Sequence, residues 1–154
     1  MPDIVDSTTR SRMMSGIRGR DTRPEMAVRR GLHALGYRYR LHGRDLPGRP
    51  DLVFRPRRAV IFVHGCFWHG HDCHLFRLPG TRPGFWQAKI DANRERDGRA
   101  RAQLLEEGWR VLEIWECALR GKEALDFGDL MGRCAAWLAD GPPQLELRGS
   151  AARL

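Results

Sequence analysis

Two short apolar runs, Asp51-Leu52-Val53-Phe54 and Ala59-Val60-Ile61-Phe62-Val63-His64, stand close together, separated by the polar Arg55-Pro56-Arg57-Arg58. Two β-rich runs around a short Pro-containing connection predict an antiparallel hairpin. With the turn centred between Arg57 and Arg58, paired positions place Asp51 opposite His64. A carboxylate and an imidazole would then share one face at the open end of the hairpin. Upstream, Thr22-Arg23-Pro24-Glu25 has the form of a helix start: a capping hydroxyl, a proline in the first turn and a capping-box glutamate. This helix is expected to end near Leu35, before Gly36, with a short strand over Tyr37–Leu41 after it. A loop rich in Cys, His and aromatics follows over Gly65–Pro83. A long helix is expected from Gly84 to Glu107, with Trp86, Ile90, Asn93, Asp97 and Leu104 on one face and Gly108 at its end. Trp109–Trp115 predicts a strand parallel to the second hairpin strand, since a helix connects the two. A last helix is expected over Phe127–Ala139, its apolar face built from Met131, Cys134, Ala135 and Leu138. The expected architecture is α/β, a mixed sheet flanked by helices. A basic arm (1–20) precedes a single domain (21–140), and a patternless tail of no assigned role (141–154) follows it.

The chain's 154 residues suit one domain of ordinary globular composition, 42% hydrophobic and 30% charged. Its longest apolar run, Ala59–Val63, falls far short of the roughly 20 residues that a membrane span needs. The first residues do not have the basic-then-apolar form of a secretory signal, so a cytoplasmic protein is expected. In that compartment four cysteines point to metal ligands or core thiols rather than disulfides. The net charge of +8 is unevenly spread. Residues 1–63 hold 14 basic and 6 acidic side chains, whereas residues 64–154 hold 13 of each. A basic excess gathered into one segment is the footprint expected of a polyanion-binding surface.

Cys66-Phe67-Trp68-His69-Gly70-His71-Asp72-Cys73-His74 packs two cysteines and three histidines into a Gly-rich loop. That density suits zinc, which takes four N or S ligands in a closed structural site. Cys117, just past the strand ending at Trp115, is placed to complete the set. Cys134 competes, although its helix face favours a buried thiol. Spacing leaves His69, His71 and His74 as alternatives. Asp51, His64 and His69 are expected at one end of the sheet, with Glu25 and Asp97 reaching it from the helices. Such a group suits phosphodiester hydrolysis, which uses a hard divalent ion held by carboxylate oxygen and a base titrating near neutrality.

These residues bring a resemblance into view. Thr9-Arg10-Ser11 with Met14, Arg20-Asp21-Thr22 with Glu25, Leu46-Pro47-Gly48-Arg49-Pro50-Asp51 and His64-Gly65-Cys66-Phe67-Trp68-His69 match the pattern of the very-short-patch repair (Vsr) endonucleases. So do Phe85-Trp86 with Lys89-Ile90 and Asn93, and Trp115-Glu116-Cys117-Ala118-Leu119. The resemblance spans about residues 6–139 and implies a restriction-endonuclease-like fold with a structural zinc site. It implies a magnesium-dependent nick 5′ of the thymine in T:G mismatches left by 5-methylcytosine deamination in double-stranded DNA. The implied zinc ligands are Cys66, His71, Cys73 and Cys117. Asp51 and the backbone carbonyl of Val63 would hold magnesium, and His69 would be the general base. Glu25, His64 and Asp97 would order metal-bound waters. Phe67, Trp68 and Trp86 would wedge beside the mismatch, where an already weakened step is cheaper to open. Asn93 would contribute to the DNA contact, while Met14 on the arm grips the opposite groove. The resemblance further implies a monomer working alongside mismatch-repair proteins at the nucleoid. Val63 departs from the family, which often has a hydroxyl residue there, and Gly70, Asp72 and His74 differ from its usual loop. Two rival readings share these features: a zinc-stabilised mismatch-binding module without catalysis, and a restriction-type nuclease acting on intact duplex.

Overall fold

A computed structural model of the chain describes residues 21–150. The basic arm with Met14, and residues 151–154, lie outside the described residues. Helix α1 (Arg23–Ala34) begins as its sequence predicts: the Thr22 hydroxyl accepts the Glu25 N–H at 3.3 Å. The Glu25 carboxylate reaches one residue beyond the usual capping box and accepts the Asp21 N–H at 2.9 Å. Gly36, at φ +98°, lets the chain turn away. The expected strand over Tyr37–Leu41 shortens to β1 (Arg40–Leu41). Tyr37 and Tyr39 instead set their rings edge-on against Phe54, and the Tyr39 hydroxyl donates to the Arg29 carbonyl at 2.7 Å.

Strands β2 (Leu52–Phe54) and β3 (Ala59–His64) form the predicted hairpin, with a different register. Phe54 pairs with Ala59 and Leu52 with Ile61, so the ladder is shifted by two residues from the expected one. The connection is a 3-10 turn over Arg55–Arg57, closed by Arg58 in the left-handed region at φ 51°, and its centre lies one residue earlier than expected. Asp51 is therefore not opposite His64. A shift of two leaves it on the intended face, because strand side chains alternate with a period of two.

Helix α2 (Pro83–Glu106) carries the chain to β4 (Arg110–Trp115), which runs parallel to β3. Helix α3 (Phe127–Asp140) is capped by Asp126, whose carboxylate accepts the Asp129 N–H at 3.0 Å. The tail then forms a strand, β5 (Gln144–Leu147), parallel to β4. The sheet order is β1-β2-β3-β4-β5, antiparallel on one side and parallel on the other. One face packs against α1 and α3: Val28, Leu32, Leu130, Met131, Trp137 and Leu138 cover Leu52, Phe54, Ile61, Leu112 and Ile114. Gly31 makes that approach possible, since a Cβ there would lie 2.5 Å from the Met131 sulfur. On the other face Leu104 of α2 covers a smaller apolar group of Val53, Val60, Phe62, Trp109 and Val111.

Candidate active site and metal centre

The α2 face is apolar only over part of its length. Towards the C-terminal ends of β3 and β4 it turns polar, because Asp51, His64, Glu113 and Trp115 fall on it by strand alternation. A cavity of about 630 Å³ opens there, lined by Asp51, Val63, His64, His69 and Asp97, with Arg44 and Arg49 among its walls. Neither arginine is ion-paired with a described residue, so the approach to the carboxylate is cationic.

Asp51 accepts the backbone N–H of Val63 across the hairpin at 2.7 Å. Burial pushes its carboxyl up to about 7, with the nearby Glu25 charge adding to the rise, although the Val63 N–H opposes it. His69 reaches the cavity from the loop after β3, and its Nδ1 lies 2.5 Å from an Asp97 carboxylate oxygen on α2. Burial lowers the His69 pKa and the Asp97 contact only partly offsets it, so the ring stays neutral at neutral pH. His64 stands beside it, ring centroids 4.2 Å apart, with Nε2 2.9 Å from Glu113. The structure thus brings Asp51, His64, His69 and Asp97 to one cavity. Glu25 does not line it. Its carboxylate is 1% exposed and sits between His42 Nε2, at 2.8 Å, and Arg29, at 3.4 Å. Glu113, Arg101 and His42 are additions that sequence reasoning did not reach. A carboxylate inside the apolar run Val111–Trp115 was the available signal for Glu113. Arg101 was marked by its helical spacing, four residues after Asp97 and three before Leu104.

On the other side of Trp115 lies the cysteine cluster. The ligand atoms of Cys66, His71, Cys73 and Cys117 all lie within 4.8 Å of one another. His71 Nδ1 is 3.6 Å from Cys66 Sγ and 3.5 Å from Cys117 Sγ. A tetrahedral zinc, with Zn–S of about 2.3 Å and Zn–N of about 2.0 Å, sets such ligands about 3.5 Å apart. Burial foremost pushes the Cys66 and Cys117 thiols up, and neighbouring sulfurs add to this. A soft divalent cation that takes thiolates would relieve that cost, so the donor set fits one. Of the three loop histidines the fold chooses His71. His69 turns to Asp97, and His74 Nδ1 lies 3.2 Å from Glu123. Cys134 stays in the apolar core, where burial pushes its thiol up to about 12.

The cluster is closed by the tail. Gly149 N–H donates to Cys117 Sγ at 3.3 Å, and a Cβ there would lie 2.5 Å from the Cys117 carbonyl oxygen. Arg148 binds Asp72 at 2.8 Å, and Glu146 accepts the Trp115 indole N–H at 2.8 Å. His71 stacks flat on Trp115, centroids 3.9 Å apart, and Trp115 meets His64 on its other contacts at 4.9 Å.

Beside the cavity, Phe67, Trp68, Phe85 and Trp86 form an aromatic group. Phe67 and Trp86 are half-buried and Phe85 is exposed. Trp68, expected to stand out in solvent, is only 8% exposed. Its ring is boxed by Phe67 and Trp86, and its carbonyl accepts the Asn93 amide at 2.8 Å, which ties the loop to α2. Among the described residues no helix is long and apolar enough to cross a membrane.

Comparison with known proteins now adds to this geometry. A family model described as DNA mismatch endonuclease Vsr matches residues 2–75. A protein of Xanthomonas oryzae pv. oryzae named type II nicking enzyme V.XorIIP is 52% identical over 126 residues, 82% of this chain and 93% of that protein. The Escherichia coli protein named DNA mismatch endonuclease Vsr is 49% identical over 138 residues, 90% of this chain and 88% of that protein. A Neisseria meningitidis type II nicking enzyme is 39% identical over 122 residues.

Proposed function

The chain belongs to the Vsr family of DNA mismatch endonucleases, and we propose that it nicks one strand of a duplex 5′ of the thymine in a T:G mismatch. The observation that carries this reading is the meeting of Asp51, His64, His69 and Asp97 in one cavity, with Arg44 and Arg49 at its wall, unpaired among the described residues, and an aromatic group beside it. A hard carboxylate and two histidines at the strand ends of a mixed sheet support the reading of a restriction-endonuclease-like fold. Asp51, with the Val63 carbonyl, would hold magnesium, which when bound polarises the phosphoryl group and neutralises developing charge.

His69 is the general base. Its Nδ1 is tied to Asp97, so its Nε2 is the nitrogen left to take a proton from the attacking water. Asp97 fixes the ring and stabilises the imidazolium that forms. His64 orders water around the carboxylate of Asp51, and Glu25 acts on that water only through His42, which it holds at 2.8 Å. Phe67 and Trp86 enter the duplex beside the mismatch, and Trp68 backs them from beneath. Insertion costs a few kcal/mol of unstacking per step, least at a mispaired one, so opening itself selects the substrate. Zinc in the Cys66–His71–Cys73–Cys117 cluster would hold the loop that carries both His69 and Phe67. The basic arm with Met14 is assigned to the opposite groove. Action at the nucleoid, as a monomer alongside mismatch-repair proteins, follows from the same reading.

The test is incubation with magnesium of a hairpin carrying one T:G pair and of its T:A control. Nicking confined to the mismatch strand is expected. Binding without a nick in excess magnesium would instead identify a binding module, and equal cutting of both hairpins a nuclease of intact duplex.

A further inference from the structure

Glu113 is a carboxylate in the middle of β4, 4% exposed and flanked by the fully buried Leu112 and Ile114. A charge in such a place costs several kcal/mol unless its oxygens are well paired. They are: one oxygen lies 2.9 Å from His64 Nε2, and Arg101 of α2 reaches both, at 3.0 and 3.2 Å. Burial alone would raise the Glu113 pKa, but the His64 and Arg101 contacts outweigh it and hold the group below the usual glutamate range. Nothing in the proposed hydrolysis uses either residue. Their position is nevertheless specific. Arg101 follows Asp97 by one helical turn, so α2 sends one side chain to the His69 pair and the next to the His64 pair.

We propose that Glu113, clamped by Arg101, is a positioning residue that sets the tautomer and ring plane of His64. A carboxylate held ionised only accepts, so the ring nitrogen facing it must carry the hydrogen. Neutral His64 is therefore the Nε2–H tautomer, and Nδ1 is its lone-pair nitrogen. His69 is set the opposite way: Asp97 takes its Nδ1–H, and Nε2 is left as the acceptor. The two neighbouring imidazoles, tilted 41° to one another, thus present different nitrogens to one cavity, each chosen by its own acid. Without Glu113 the His64 ring could flip and place a donor where an acceptor is needed. The Arg101 guanidinium keeps the acid ionised and prevents it from turning away, as outer partners do for ligating histidines. This inference rests on the active-site reading above for its effect on rate, but not for its effect on the ring.

Nitrogen-15 histidine spectra of the whole zinc-loaded protein, taken at alkaline pH, read the tautomers directly. The expected result is a protonated Nε2 on His64 and a protonated Nδ1 on His69. Glu113→Ala should move His64 to a tautomer mixture, leave His69 unchanged, and lower kcat for T:G nicking about 10- to 100-fold without weakening duplex binding. Glu113→Gln keeps an acceptor oxygen and should restore most of both signals, while Arg101→Met should give an intermediate loss. A wild-type His64 protonated on Nδ1 would overturn the proposal, even if no variant folds. So would an unchanged His64 spectrum in folded Glu113→Ala. Absence of wild-type nicking with the expected tautomers would count against the active-site reading alone.

Discussion

The face of the sheet against α1 and α3 and the face against α2 are made from the same strands, one residue apart, yet they do different work. On the first, Leu52, Phe54, Ala59, Ile61, Leu112 and Ile114 are buried in one continuous apolar cluster. On the second, the apolar group of Val53, Val60 and Val111 gives way within one strand length to Asp51, His64 and Glu113. Helix α2 follows the same change: Leu104 packs on the apolar part, while Arg101 and Asp97 serve the polar part. Stability is concentrated on one side of the sheet and chemistry on the other, and the α2 face bears desolvated charge that a folding core would avoid.

A substitution on each face should therefore separate rate from stability. The largest effect is expected from Asp51→Asn: nicking should fall about a thousandfold or more, since the metal's charge stabilisation is worth several kcal/mol. The melting temperature should hold or rise. Asp51 has a folded-state value of about 7, above the ordinary carboxylate range, so its charge opposes folding at pH 8. Asparagine removes that charge and keeps an acceptor for the Val63 N–H. The gain should shrink as pH falls through about 7 and vanish below the ordinary aspartate range, where both states are neutral. Calorimetry across pH beside a nicking assay reads both; a large loss of stability at pH 8 would break the contrast.

Leu112→Ala on the other face should do the reverse, costing about 2–5 kcal/mol of stability by denaturant titration with nicking at low temperature nearly unchanged. A selective fall in rate with the fold intact would show that the faces are coupled. Cys117→Ser tests the loop that joins them: bound zinc should be lost by elemental analysis and the melting temperature should drop. Retained zinc would remove Cys117 from the ligand set. The smallest effect is one of pH. On the proposed reading Asp51 would have to shed a proton to hold magnesium, so the half-saturating magnesium concentration should rise towards tenfold per pH unit below about 7. A flat dependence would mean that another group supplies the carboxylate.

Helix ends and the identities of β2, β3 and β4 were legible because local chemistry sets them. Thr22 with Glu25, Gly36 and Gly108 mark boundaries that the structure keeps. The hairpin register was less so, because Arg58 takes a left-handed conformation that an arginine does not advertise, and this moves the turn. Strand β5 was missed: four residues alternating between polar and apolar, after two prolines, gain their identity only from β4 beside them. The metal cluster could be seen as a density of Cys and His, but the choice of His71 over its neighbours is made by stacking on Trp115, a tertiary contact. Trp68 misled for a similar reason, since a Gly-rich loop supplies no core until Phe67 and Trp86 close around it.

The strand order also sets a timetable for synthesis. All four donors of the cysteine cluster have been synthesised once Cys117 is added, but Gly149, which donates to that same sulfur, comes more than thirty residues later. A nascent chain halted before residue 144 would carry every ligand and lack the strand that shuts the cluster. Closure of the cluster therefore waits on residues made well after its last ligand.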